Sequence, residues 1–271
     1  MGGIWLSKWP QRCWKTLILR RTVLKGKVVL VTGSSRGIGA AAAKRMAEWG
    51  ARVVINYKSS ESQALALLDE IKKAGGQAMA VRTDVTKRAE VEAMDRSIRA
   101  EFGSPDVVVN NAYFPFSVGL IHELSWEKLK QSVEDELSAL HHCIQVFSPA
   151  MIEKKKGKFI VVSSRVAQQP LPRLGAHAAA KAALETMANT AAIELGPLGI
   201  TVNIISPAFT LTDASSIMPE AFKQRVLQTR PLRRHILPED IAGSIAFLAS
   251  DQVDMMTGSN ILLTGGSHLQ S

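Results

Sequence analysis

The stretch Val28 to Gly39, VVLVTGSSRGIG, constrains the fold more than any other segment. Its apolar, β-branched start, Val28 to Val31, predicts a parallel strand buried on both faces. Thr32 and Gly33 end that strand, and Ala40 to Trp49 reads as a helix. Glycines fall at Gly33, Gly37 and Gly39, where the backbone has to turn sharply and let a phosphate come close. The helix start that follows offers free N–H groups and a partial positive charge to that phosphate. The segment therefore points to a bound dinucleotide, with Ser35, Arg36 and Ile38 inside the same turn.

From Lys27 onward, strand-like and helix-like runs alternate. The strands are expected at Val28–Val31, Arg52–Asn56, Ala78–Arg82, Val107–Val109, Phe159–Val162, Thr201–Ile205 and Asn260–Leu263. Between them, helices are expected at Ala40–Trp49, Ser62–Ala74, Arg88–Phe102, Trp126–Ile152, Ala176–Leu195 and Pro238–Ala249. Such alternation makes a parallel sheet with right-handed crossovers. The expected fold class is α/β: a doubly wound, Rossmann-like sheet of about seven strands with helices on both faces. No linker or internal repeat divides it, so residues 24–271 read as one domain.

Residues 1–23 stand outside that domain as a basic, Trp-rich extension. The overall charge is +9, and residues 1–22 contribute Lys8, Arg12, Lys15, Arg20 and Arg21 with no acid. Trp5, Trp9, Cys13 and Leu17 recur every four residues, which would make one apolar helical face suited to a membrane surface. Pro10 counts against a single helix, and a partner-packed or unstructured extension is the competing reading. The segment is too short and too charged to span a bilayer. It lacks the long apolar core and cleavage site of a signal peptide. Two cysteines, Cys13 and Cys143, cannot build a disulfide framework, and no Cys/His spacing suggests zinc or another metal. A cytoplasmic, reducing compartment is expected, with membrane contact confined to the extension. The basic residues of the domain do not interleave with aromatics, so no nucleic-acid partner is expected.

Ligands of such sheets lie beyond the carboxyl ends of the strands. After the second strand stands Asn56-Tyr57-Lys58-Ser59-Ser60, without the acid that would accept bonds from the ribose of NAD. Arg36 and Lys58 can instead meet a 2′-phosphate, with hydroxyls from Ser59 and Ser60. NADPH or NADP+ is therefore the expected cofactor. Asp84 and Val85 would hold the adenine, and Tyr57, Asn111 and Ala112 lie beside the same cleft.

Together these pieces resemble the short-chain dehydrogenase/reductase family, nearest to its ketoacyl- and enoyl-thioester reductases. The glycine pattern TGSSRGIG, Asp84-Val85, Asn110-Asn111-Ala112, Ser163-Ser164, Lys181, Ser206-Pro207 and Pro238-Glu239-Asp240 fall in family order. The resemblance implies further cofactor contacts at Pro207, Ala208, Thr210, Thr212 and Lys181. It also implies a tetrad of Asn, Ser, Tyr and Lys that reduces a carbonyl. Here Ser164 and Lys181 match, but His177 holds the Tyr position, four residues before the Lys and thirteen after the Ser. Aligned back from Pro149-Ala150-Met151, Glu136 holds the Asn position. Tyr113 stands where a small Gly is usual, and Thr264 where Asp is common.

Positions 177 and 181 are one helical turn apart and share a face. Three readings of the altered site stay open. In the first, His177 replaces Tyr in an NADPH-dependent reductase, as acid or as neutral electrophile. Lys181 would favour the neutral imidazole and Glu136 would oppose it. Within this reading Tyr113 either supplies the phenol or is a wall of the substrate pocket. In the second, Ser164, His177 and Glu136 form a relay for dehydration, isomerisation or cyclisation. In the third, the domain is a cofactor-binding scaffold without chemistry.

On the substrate side, Leu211 to Ile236 reads as a lid. Its apolar points at Ile217, Met218, Phe222, Val226 and Leu227 would pack downward. With Phe114, Pro115 and Phe116 they favour a hydrophobic acyl-thioester or ring substrate. Lys154, Lys155, Lys156 and Lys158 read as a solvated loop, with an acyl carrier protein as an alternative partner for it. The small residues of Ala178–Ala192 would allow close helix packing in a homotetramer or homodimer.

Overall fold

Each apolar run forms the strand it predicts, and the strands lie side by side in one parallel sheet. The computed structural model describes residues 23–216 and 218–269. The extension of residues 1–22 and the lid position Ile217 lie outside the described residues. The strands are β1 (Val28–Val31), β2 (Arg52–Tyr57), β3 (Gln77–Arg82), β4 (Val107–Asn110), β5 (Gly157–Val162), β6 (Ile200–Pro207) and β7 (Asn260–Leu263). Their order is β3-β2-β1-β4-β5-β6-β7, parallel throughout. The chain reverses its direction of winding between β1 and β4, which opens a crevice at their carboxyl ends.

Helices cover both faces. On one side lie α1 (Gly37–Glu48), α2 (Glu61–Lys73) and α7 (Pro238–Ala249); on the other lie α3 (Arg88–Glu101), α4 (Trp126–Glu153) and α5 (Gly175–Leu195). The alternation of side chains along each strand builds the two cores. Val29, Val31, Val53 and Ile55 face α1, α2 and α7, while Val28, Leu30, Val54 and Val108 face α3, α4 and α5. Leu24 is already part of the first core. Among the described residues, no helix is long and apolar enough to cross a membrane.

Three local expectations are corrected. The helix after β1 begins at Gly37 rather than Ala40, so Gly37 and Gly39 belong to its first turn. Lys158 is not solvated: it sits on β5, almost fully buried, and its Nζ meets Asp254 at 2.5 Å. Its neighbours Lys154 and Lys156 reach Asp106 and Asp251 at 3.4 and 3.2 Å, so the lysine run is largely neutralised locally. Among the described residues of the lid, α6 (Glu220–Gln228) is the one full α-helix, and none of its residues is fully buried. Phe222 is its anchor, edge-on to Phe209 with ring centroids 5.1 Å apart.

The two-sided core makes a clear stability prediction. Phe159 of β5 is fully buried, and Phe159→Ala should cost about 3–5 kcal/mol through lost burial and a cavity. The exposed Leu65→Ala should cost well under about 1 kcal/mol. Urea unfolding of both variants checks the contrast.

Candidate active site

A knot of hydrogen bonds shapes the turn after β1. Thr32 Oγ1 accepts from the backbone N–H groups of Asn111 and Ala112 at 2.9 and 3.0 Å. The Asn111 side-chain amide donates to the carbonyls of Thr32 and Gly33 at 2.9 and 3.2 Å. From the other side, Asn56 Oδ1 accepts from Gly33 N at 3.0 Å, and Asn56 Nδ2 donates to the Thr83 carbonyl at 3.1 Å. The turn is thereby pinned to the ends of β2 and β4. A Cβ at Gly33 would lie 2.7 Å from Ala112 Cα, in a left-handed backbone conformation (φ 60°). One at Gly39 would lie 2.6 Å from the Gly33 carbonyl oxygen. Only glycine leaves this cradle open.

The predicted cofactor residues gather around that cradle, with unequal roles. Arg36 is exposed at its rim, immediately before the start of α1. Ser35 and Ile38 are partly buried in the turn itself. Thr212 stands opposite, its Cγ2 3.6 Å from where a Gly37 Cβ would be. Thr210 is buried and donates to the Ala208 carbonyl at 2.9 Å, just beyond Pro207 at the end of β6. Lys58 reaches Asp84 at 2.8 Å, so these two residues meet each other rather than standing apart. That contact and its hydrogen bonds to Thr86 hold the Asp84 carboxyl below its usual range, against the burial that would raise it. Ser59 remains exposed. Two side chains point elsewhere. The Tyr57 ring lies in the first core with its hydroxyl donating to Glu61 Oε1 at 3.0 Å, and Val85 lies in the second core.

Farther along the crevice, α4 and α5 bring an acid and a base together. Lys181 Nζ lies 2.9 and 3.0 Å from the two carboxylate oxygens of Glu136 and donates to the Val162 carbonyl at 3.1 Å. Both side chains are nearly inaccessible, Lys181 at 8% and Glu136 at 4%. A buried charge needs such a partner, because removing either one strands the other without water. His177, one turn before Lys181, stacks on Phe116 with ring centroids 4.0 Å apart and planes 17° apart. Tyr113 is largely exposed and stands edge-on to Phe116 at 6.3 Å.

Burial, reinforced by the Lys181 charge, pushes His177 down to about 4. At neutral pH the imidazole is therefore uncharged. The opposition expected from Glu136 does not operate on His177, because that carboxylate is spent on Lys181. For the same reason a Ser164–His177–Glu136 relay lacks its last link. Ser164 Oγ caps the 3-10 turn Arg165–Ala167, accepting from Val166 N at 3.4 Å.

Sequence reasoning missed several residues. Asn56 and Thr32 shape the cradle without touching its opening. Glu185, one turn beyond Lys181, accepts from Ser163 Oγ at 2.7 Å, Ser206 Oγ at 2.9 Å and Gln168 Nε2 at 3.2 Å. It ties α5 to the ends of β5 and β6. Its spacing of four from Lys181 was a usable signal, since both then share a helix face.

The His177 shift has a signed consequence. The folded-state value lies below the ordinary 6.5, so the unfolded chain takes up this proton first as pH falls. The contribution is present above pH 6.5 and lost between 6.5 and about 4, reaching up to about 3 kcal/mol. His177→Gln should flatten the acid side of the stability curve in that window. Urea unfolding of both proteins between pH 4 and 7 measures it.

Comparison with known proteins places the chain in a family. An enoyl-(acyl carrier protein) reductase family model matches residues 33–268. The chain is 35% identical over 243 residues to a 3-oxoacyl-(acyl-carrier-protein) reductase FabG of Staphylococcus epidermidis, covering 90% of this chain and 99% of that one. It is 35% identical over 246 residues to a 3-oxoacyl-(acyl-carrier-protein) reductase of Synechocystis, covering 90% and 98%. A solved dehydrogenase/reductase from Sinorhizobium meliloti superposes with a TM-score of 0.84 at 31% identity, covering 93% of this chain and 99% of that one. The chain belongs to the short-chain dehydrogenase/reductase family and is an oxidoreductase.

Proposed function

We propose that the protein reduces a carbonyl on a hydrophobic acyl-thioester or polyketide-like substrate, with NADPH as the reductant. The observation that carries this reading is the buried Lys181–Glu136 pair one helical turn from an uncharged His177. It keeps a cation and a hydrogen-bond donor at the crevice where the family does its chemistry. The names of the relatives support an acyl substrate, and an acyl carrier protein is the partner such a substrate implies.

The cradle supports the cofactor. Side chains at Gly33 and Gly39 would fill it, and its rim carries Arg36, Lys58 and Ser59 with no free acid at the end of β2. That donor set suits a 2′-phosphate. Lys58 would then share or leave Asp84. NADPH, when bound, supplies the hydride. The protein's own residues do the rest: the His177 ring N–H and the Ser164 hydroxyl donate to the substrate oxygen. A neutral imidazole acts here as an electrophile, stabilising charge as it develops. The oxygen then takes its proton from the His177 ring N–H, and a proton from solvent at the mouth of the crevice restores the imidazole, while Lys181 stays paired with Glu136.

NADPH oxidation with a panel of acyl-thioester and polycyclic ketones tests the reading. Turnover should fall by at least about 100-fold in His177→Ala. Turnover that survives in this variant would remove His177 from the chemistry, and NADPH binding with no substrate consumed would favour a scaffold. Arg36→Ala should weaken NADPH by about tenfold while leaving NADH nearly unchanged, read by fluorescence titration.

A further inference from the structure

The segment after β4 is bridged to the chain just before α5 through its backbone, and it reaches His177 through one side chain. Gly119 N donates to the Arg173 carbonyl at 3.0 Å, and Gly119 pairs with Leu174 in an isolated parallel bridge. This fastens the segment beside the start of α5. Three residues earlier, Phe116 lies flat on the His177 imidazole. The ring and the helix residue are 61 positions apart in sequence, and the backbone bridge holds them in register.

We propose that Phe116 is a positioning residue: its ring fixes the plane of the His177 imidazole and keeps one face of it dry. A substrate oxygen is then kept from that face and directed toward the edge of the imidazole, where the ring nitrogens point. The proposal rests on the reductase reading for what His177 does, but not for how it is held.

Two effects of the stack oppose each other. Apolar cover disfavours the imidazolium, while an aromatic face attracts a cation. The second is worth up to about 1.5 units at a desolvated site, less than the net fall from 6.5 to about 4 that His177 shows with the ring in place, a fall that burial leads. Cover wins, so removing the ring should raise the titration midpoint. Lys181, on the same helix, is the charged group acting on His177. Glu136, on α4, is engaged by Lys181, and Tyr113 faces Phe116 from the loop.

The test is an NMR titration of the histidine side chains in the full-length protein, with His177 assigned through His177→Gln. Phe116→Ala should raise the His177 midpoint by about one unit or more, and Phe116→Trp should keep it near the wild-type value. In the reductase assay, kcat/KM should fall about tenfold in Phe116→Ala, mostly through kcat, and recover in Phe116→Trp. Phe116→Leu keeps the position tractable should the Ala variant fail to fold. It retains apolar bulk but not flatness, so it should keep the low midpoint and still lose kcat. An unchanged midpoint in a folded Phe116→Ala variant overturns the proposal. So does full activity in both truncated variants. If the wild-type protein turns over no ketone, the reductase reading fails while the titration still decides how His177 is held.

Discussion

The site depends on one ion pair withdrawn from water. Lys181 and Glu136 sit on different helices, and each would be costly to bury alone, by several kcal/mol. Their contact makes α4 and α5 a single unit, and the bond from Lys181 to the Val162 carbonyl adds the end of β5 to it. Everything nearby is set against that unit. His177 lies in the field of Lys181, Ser164 follows directly from β5, and Glu185 repeats the tie one turn later through Ser163 and Ser206. The carboxylate thus has an indirect part: by balancing the lysine it allows a cation to stay at the bottom of an apolar crevice.

The fold was legible because its signals are local. The seven strand-like runs became the seven strands, and the glycines of the first turn marked the crevice without any knowledge of the sheet. His177 and Lys181 lie one turn apart on α5, as their spacing predicts, whereas Glu136, expected to act on His177, meets Lys181. What stayed hidden depends on contacts between distant segments. No pattern in residues 113–116 says that Phe116 will meet His177, because the Gly119–Leu174 bridge that brings them together joins two irregular loops. The lysine run at 154–158 read as solvent-facing, yet the register of β5 turns Lys158 inward, where Asp254 meets it. Tyr57 was assigned to the cleft by its place after a strand, but β2 runs one residue longer and its period of two sends the ring into the core.

The side chains at this centre are coherent with one another. An imidazole held neutral carries no charge of its own. With Glu136 opposite Lys181, the three side chains sum to no net charge, a favourable state for a poorly hydrated crevice. The aromatic row of Tyr113, Phe116 and His177 continues that apolar character toward the opening.

Asn56 carries a consequence for how this scaffold can change. Its side chain is engaged at both ends: the oxygen accepts from Gly33, and the nitrogen donates to Thr83 and, at 3.5 Å, to Val81, at a position only 2% exposed. An aspartate there would keep the first bond and lose the second, leaving a buried carbonyl unsatisfied beside a desolvated negative charge. Shape and selectivity are therefore separated along the chain. Residue 56 is committed to the architecture of the turn, while the exposed Lys58 and Ser59 beyond it and Arg36 are no part of that frame. Substitutions that leave the turn intact would have to enter from the rim, because the inner position is already part of the frame.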